Sequence, residues 1–236
     1  MIRRGIVLFG VATAVAALWT GWKLHFAIGS MTGFFPPHYG YSAYVESAAL
    51  ILGGSSPLAL VCALALALSD NRDALLGVLA GYAYLAAGWR RRAACGILGG
   101  LAVVVGAWVK PHTYNDSVRV QAWIMALKLA KEVPGGIGTG NFAIWFNGKW
   151  LTKAHSDVLQ LLVEQGIWVW VGVMSLAVWG HYAALKGPAT RAKATLLCLT
   201  VQSIFDNRLH RPVCIGLYAL ICILVFVEQR FNTHTL

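Results

Sequence analysis

The residues of this chain whose types and spacing point most directly to chemistry lie between residues 119 and 166. Arg119 opens the stretch. The glycine-rich run Gly135-Gly136-Ile137-Gly138-Thr139-Gly140-Asn141-Phe142 follows, and His155-Ser156-Asp157-Val158-Leu159-Gln160 leads on to Gly166. A guanidinium, an imidazole and carboxylates within one stretch can bind an anion and move a proton. The glycines form neither GxGxxG nor a Walker sequence, and the reading places no strand before them, so no nucleotide fold is supported. His25, His38, His112 and His181 lack metal-ligand spacing, and no metal or cofactor is expected. Cys62, Cys95, Cys198, Cys214 and Cys222 are odd in number, lack CxxC spacing and sit in or beside apolar runs, so they read as small core residues.

The elements that position this stretch are membrane segments. The chain is 58% hydrophobic and 12% charged, far more apolar than a soluble domain, and is read as an integral membrane protein. Its net charge of +10 comes from arginines and lysines placed singly or in short clusters between apolar runs. That pattern orients helices in a bilayer and argues against nucleic acid as a partner. Apolar segments run over 5–22, 44–68, 74–89, 93–109, 158–184, 192–206 and 212–228, each near the roughly 20 residues that cross a hydrocarbon core. The expected fold is therefore an all-α, polytopic transmembrane helical bundle of about seven segments with one large extracytoplasmic loop. Helices one to four fall in residues 1–109, the loop in 110–157 and helices five to seven in 158–236. Gly53-Gly54-Ser55-Ser56-Pro57 interrupts the second segment and predicts a kinked or broken helix, its freed backbone groups facing protein or water. The first segment is too long for a secretory leader and is read as retained.

Basic clusters set the orientation. Arg90-Arg91-Arg92 and Lys186, Arg191 and Lys193 mark cytoplasmic turns, which puts residues 110–157 on the opposite face with the turns around Asp70–Asp73 and Asp206–Arg211. Seven single crossings leave Arg3 and Arg4 outside, against the same rule. Either a re-entrant pass lies within 23–43, or the chain starts in the middle of a longer ancestral fold.

Within the loop, Asn115, Asp116 and Ser117 offer a helix start, and Val118, Ala122, Met125 and Leu129 with Trp123, Ala126 and Ala130 give an apolar face. The spacing predicts an amphipathic helix lying on the membrane plane, ended by Pro134. Gly138 and Gly140 would let backbone N–H groups approach a ligand, though Gly138 to Asn141 reads more simply as a turn. Ser156 caps the next helix with Asp157 in its first turn. Trp168, Trp170 and Trp179 read as interfacial or packing aromatics, and Glu46 is either structural or turned toward a lipid-borne ligand.

Several of these patterns resemble one family. Arg119-x3-Trp123 is similar to an R-x3-L pattern with tryptophan in place of leucine, and His155 with ten residues before Gly166 fits H-x10-G. Together with Gly136-x-Gly138-Thr139-Gly140-Asn141-Phe142, they resemble the large periplasmic loop of the O-antigen ligase and polymerase superfamily. Thr32-Gly33-Phe34-Phe35 with Pro37-His38-Tyr39 resembles its GTF-x-NPN segment, His38 replacing asparagine. Asn71-Arg72-Asp73 resembles its Ser-Arg-Gly turn, and Ser203-Ile204-Phe205-Asp206 through Pro212 its last periplasmic turn. The likeness covers about residues 15–225 and corresponds to the carboxyl-terminal half of the family's bundle.

The resemblance implies a multi-pass protein of the bacterial inner membrane that moves a glycan from an undecaprenyl diphosphate carrier to a hydroxyl of a lipid or saccharide acceptor, without metal or nucleotide. A diphosphate leaving group calls for guanidinium groups, and the candidates are Arg119 and Arg72, with Arg208 and Arg211 beside them. The attacking hydroxyl must lose a proton, and His155 is the candidate base. Asp157 or Glu164 would orient its ring, and Asn141 and Asp157 complete the expected substrate-binding set. The alternative is a non-catalytic partial homologue that binds or inhibits a full-length polymerase or ligase in the membrane, with His155 dispensable. A transporter would call for paired intramembrane charges and duplicated broken helices, which the sequence does not offer. Unpaired small-residue faces leave room for a homo- or hetero-oligomer.

Overall fold

The computed structural model describes residues 2–23, 39–54, 56–68, 72–86, 114–146, 148–206, 209 and 212–233. They form α1 (Ile2–Lys23), α2 (Tyr39–Gly53), α3 (Pro57–Leu68), α4 (Arg72–Leu85), α5 (Tyr114–Glu132), β1 (Ile144–Phe146), β2 (Lys149–Leu151), α6 (Asp157–Leu185), α7 (Arg191–Phe205) and α8 (Pro212–Thr233). The protein is thus largely helical. Among the described residues three helices are long and apolar enough to cross a membrane, at Ile2–Trp19, Asp157–Leu185 and Pro212–Arg230. The expected segment 93–109 and the Arg90–Arg92 cluster lie outside the described residues. The chain divides into two compact units: one of Met1–Val104, Gly187–Gln202 and Arg211–Leu236, the other of Val105–Lys186 and Ser203–His210.

In the first unit, α1 buries Ile6, Thr13, Ala14 and Ala17 and exposes Leu8, Phe9, Val15 and Trp19. A buried stripe of small residues opposite an exposed apolar face is what a helix needs to touch protein on one side and lipid on the other. Close approach goes furthest at Gly10, where a Cβ would fall 2.2 Å from the Ala49 Cβ.

The expected broken second segment is more than a kink. Positive-φ Gly54 and Pro57 reverse the chain, and α2 and α3 pack side by side, both of them against α1. Ala49 of α2, Cys62 and Ala65 of α3, and Ala14 and Ala17 of α1 share one cluster, an arrangement two collinear half-helices could not reach. The reversal exposes the carbonyl end of α2, and two guanidiniums cover it. Arg3 Nε and Nη2 donate to the Leu52 carbonyl at 2.9 and 2.6 Å, and Arg191 Nη1 donates to the Gly53 carbonyl at 3.2 Å. Cations at a helix carboxyl end are favoured by its dipole and its unpaired carbonyls. The amino ends of α1 and α7 therefore share one end of this unit. α4 runs along α7, its Gly77 against the Cys198 carbonyl and its Gly81 against that of Ala194. Glu46 is 1% exposed within α2.

The second unit has its own core: Ala122 and Ala126 of α5, Phe142, Ile144, Ala154 and Val163. Phe142 is fully buried, which is worth about 2 to 3 kcal/mol of transfer free energy. The sequence reading treats 110–157 as a loop around one helix. The structure adds an antiparallel ladder, Ile144 opposite Leu151, Trp145 opposite Trp150 and Phe146 opposite Lys149. Gly148, at φ 77°, stands in the turn between the two strands, a conformation that favours glycine.

Candidate functional site

The site belongs to the second unit. Val118, Ala122 and Ala126 recur every four residues on α5 and are buried, which fixes the rotation of the helix. Arg119 and Trp123, also four apart, then stand one above the other on the adjoining face.

Facing them is the short segment before α6. His155 adopts φ 52°, and among the described residues it is the only non-glycine with positive φ. An L-residue held there costs about 1 to 2 kcal/mol, a burden that clusters at functional sites. Neighbouring hydrogen bonds hold the segment. Gln160 Oε1 accepts from the Ala154 N–H at 2.6 Å, and the Gln160 carboxamide donates to Glu164 Oε1. Trp123 Nε1 donates to the His155 carbonyl at 3.2 Å. Ser156, extended at φ −161°, is the N-cap of α6, its hydroxyl accepting from the Leu159 N–H at 3.3 Å.

The group that joins the imidazole and the guanidinium is Asp206. Its Oδ1 lies 3.8 Å from His155 Nδ1 and its Oδ2 3.7 Å from Arg119 Nη2. The side chains of Arg119 and His155 keep 30% and 32% exposure, Asp206 18%. The carboxylate sits deeper than the two groups it gathers, which remain open to a ligand. A neutral imidazole with its Nδ1 proton turned to Asp206 leaves Nε2 able to accept one. Trp123 packs its ring at 6.3 Å from that of Phe205, just before Asp206.

The other expected site residues separate. Asp157 Oδ2 accepts the Leu209 N–H at 2.9 Å and so fastens the start of α6 to the turn that carries Asp206. The carboxylate at the His155 ring is that of Asp206, whereas Glu164 is buried against Gln160. Asn141 donates from Nδ2 to the Ile137 carbonyl at 2.8 Å, which closes the glycine turn. Arg72 opens α4, and nothing is described of its side chain; Arg208 and Arg211 lie outside the described residues.

The glycine run serves α6. Gly166 has φ 81° and ψ 170°, a kink that interrupts the helix ladder. The carbonyls of Val163 and Glu164 take the N–H groups of Ile137 and Gly138 at 3.0 and 2.9 Å, and Ile167 N–H finds the Pro134 carbonyl at 2.9 Å. The Gly138 N–H is therefore occupied by the helix, because carbonyls freed at a kink need partners, and Gly138 to Asn141 form a turn, the simpler of the two readings of that run. A Cβ on Gly166 would lie 2.5 Å from the Gly135 carbonyl carbon, and one on Gly136 2.5 Å from the Gly166 nitrogen.

Asp206 is the residue the sequence reading misses as a site member. It appears there only as one polar residue of a distant turn, and nothing local to it signals the histidine. A family model described as O-antigen ligase matches residues 57–174. The match takes in Arg119, Trp123, His155 and Gly166, while Asp206 lies beyond it. No curated protein matches the chain.

Proposed function

The chain belongs to the O-antigen ligase family, whose work is glycan transfer in polysaccharide ligation, and on that premise we propose that it moves a glycan from undecaprenyl diphosphate to an acceptor hydroxyl. The observation that carries the reading is the single carboxylate of Asp206 between His155 Nδ1 and Arg119 Nη2, which brings a base and a cation to one place.

The acceptor oxygen attacks the anomeric carbon of the lipid-linked sugar. The bond from that carbon to the diphosphate oxygen breaks, and the bond electrons leave with the diphosphate. His155 Nε2 takes the hydroxyl proton as the oxygen becomes bonded to carbon, and Asp206 stabilises the imidazolium so formed. Arg119 donates to the departing diphosphate, where charge-assisted hydrogen bonds strengthen as negative charge accumulates. Arg72, Arg208 and Arg211 remain the candidates for the rest of the diphosphate, and a lipid or saccharide accepts the glycan.

We place the chain as a multi-pass protein of the inner membrane, with the segment from Arg119 to Ser156 facing outward. The paired α2 and α3 support a revised count. Read as two short passes instead of one broken span, they return Arg3 and Arg4 to the side of Arg191, which agrees with the Arg3 and Arg191 bonds at the end of α2 and removes the conflict with the positive-inside rule. The outward boundary of the hydrocarbon falls near Gly166. Gln160, Leu162, Val163 and Glu164 before it are buried, whereas Trp168, Leu176, Val178, Trp179 and Tyr182 after it are exposed and suited to lipid. Ile167–Leu185 then covers roughly 28 Å, the thickness of the core.

The test is a surface-glycan profile in cells lacking their own ligase or polymerase, with intact chain, His155→Ala and Arg119→Ala at equal membrane abundance. Glycan restored by the intact chain and lost in both variants supports the proposal. Suppression of glycan chains in a competent host by intact chain and variants alike would establish the non-catalytic partner instead.

A further inference from the structure

We propose that Trp123 is a positioning residue for His155, its indole N–H holding the histidine backbone in the left-handed conformation from which the ring meets Asp206. The inference rests on the reading of His155 as the base. Left to itself, a histidine at φ 52° would relax toward negative φ, so something must hold the peptides on each side of it. On the amino side Gln160 Oε1 takes the Ala154 N–H at 2.6 Å. On the carboxyl side Trp123 Nε1–H donates to the His155 carbonyl at 3.2 Å. Of these two clamps, the tryptophan also reaches the acid, because its ring packs on Phe205 next to Asp206. One side chain therefore ties together the helix that carries Arg119, the carbonyl of the base and the turn that carries the carboxylate.

Leucine, the residue at this place in the R-x3-L pattern, has no donor to offer the carbonyl. Phenylalanine would keep a ring against Phe205 and lose only the N–H. The two substitutions together separate ring packing from hydrogen bonding.

The experiment compares full-length chain in nanodiscs with Trp123→Phe and Trp123→Leu by hydrogen exchange and by transfer kinetics. Loss of one hydrogen bond of ordinary strength predicts about fivefold faster exchange of the Ala154, Ser156 and Leu159 amides in both variants, with residues 167–185 unchanged. Transfer should show kcat reduced about five- to tenfold with the donor KM unchanged, since the base is displaced while the donor site is intact. Exchange at the wild-type rate in both variants would overturn the proposal. So would faster exchange along the whole of α5, which would make Trp123 a packing residue only. His155→Ala keeps the two readings apart: if it retains full transfer, the functional reading fails, whereas its loss beside wild-type kinetics in Trp123→Phe sinks the positioning role alone.

Discussion

Gly166→Ala should disable the second unit although it adds one methyl group. At φ 81° and ψ 170° the backbone occupies a region essentially confined to glycine, which costs an L-residue about 1 to 3 kcal/mol. The added carbon would stand 2.5 Å from the Gly135 carbonyl carbon and 2.6 Å from the Pro134 and Gly135 oxygens. Those are backbone atoms and cannot turn aside, so the glycine turn must retreat by roughly an ångström to restore contact distance. Three hydrogen bonds span that gap, from Ile137 to Val163, Gly138 to Glu164 and Ile167 to Pro134, at 3.0, 2.9 and 2.9 Å. At about 0.5 to 1.5 kcal/mol each, their loss brings the expected cost to about 2.5 to 7.5 kcal/mol, a large share of an ordinary domain's stability.

Thermal melting in nanodiscs and hydrogen exchange at Ile137, Gly138 and Ile167 measure this directly. Gly172→Ala on the same helix is the control, since a Cβ there meets nothing within 4 Å. Gly136→Ala strains the same contact from the other side, so the double variant should cost clearly less than the sum of the two. If Gly166→Ala melts with Gly172→Ala and protects the three amides normally, the backbone contact is not what holds the turn to α6, and the reasoning fails.

Two further predictions test the arrangement elsewhere. Asp206→Asn keeps the shape and removes the charge between base and cation; transfer in membranes should fall by about 10² or more with protein abundance unchanged, and a loss under threefold would remove Asp206 from the site. For the first unit, in a background with the five cysteines replaced by alanine, Gly5→Cys and Ala189→Cys should react with an impermeant maleimide from one side of the membrane and Thr152→Cys from the other. Labelling of Gly5→Cys from the Thr152 side would refute the paired reading of α2 and α3.

The sequence discloses what depends on composition and local pattern. The apolar runs 5–22, 158–184 and 212–228 fall within α1, α6 and α8, and Ser156 caps α6 as the N-cap pattern requires. The break at Gly53–Pro57 is also visible, but its angle is not. Glycine and proline permit a kink or a reversal equally, and packing of Ala49, Cys62 and Ala65 on α1 decides. The hairpin had a readable signal, Asn147-Gly148 between Trp145 and Trp150, which the polar and glycine-rich surroundings concealed. His155 and Gly166 stand out by their spacing. Why the second must be glycine depends on Pro134 and Gly135, some thirty residues earlier, and Asp206 reaches the site only through the return of the chain along α7.

The spacing between His155 and Gly166 then acquires a physical sense under the proposed function. A polyprenyl diphosphate keeps its chain in the hydrocarbon, so its phosphates lie among the head groups and the scissile bond just beyond them. With the hydrocarbon boundary near Gly166, nine helical steps back to Asp157 at about 1.5 Å and two extended steps to His155 at up to about 3.5 Å set an upper limit of roughly 20 Å on the height of the base. The head-group layer takes up about 5 to 8 Å of that on each face. A base within this reach meets the hydroxyl on the sugar side of the diphosphate, while Arg119, drawn to the same carboxylate, can turn to the phosphates below. The buried turns of α6 thus act as a fixed post between membrane and base, and the glycine turn that satisfies its kink keeps the post in place.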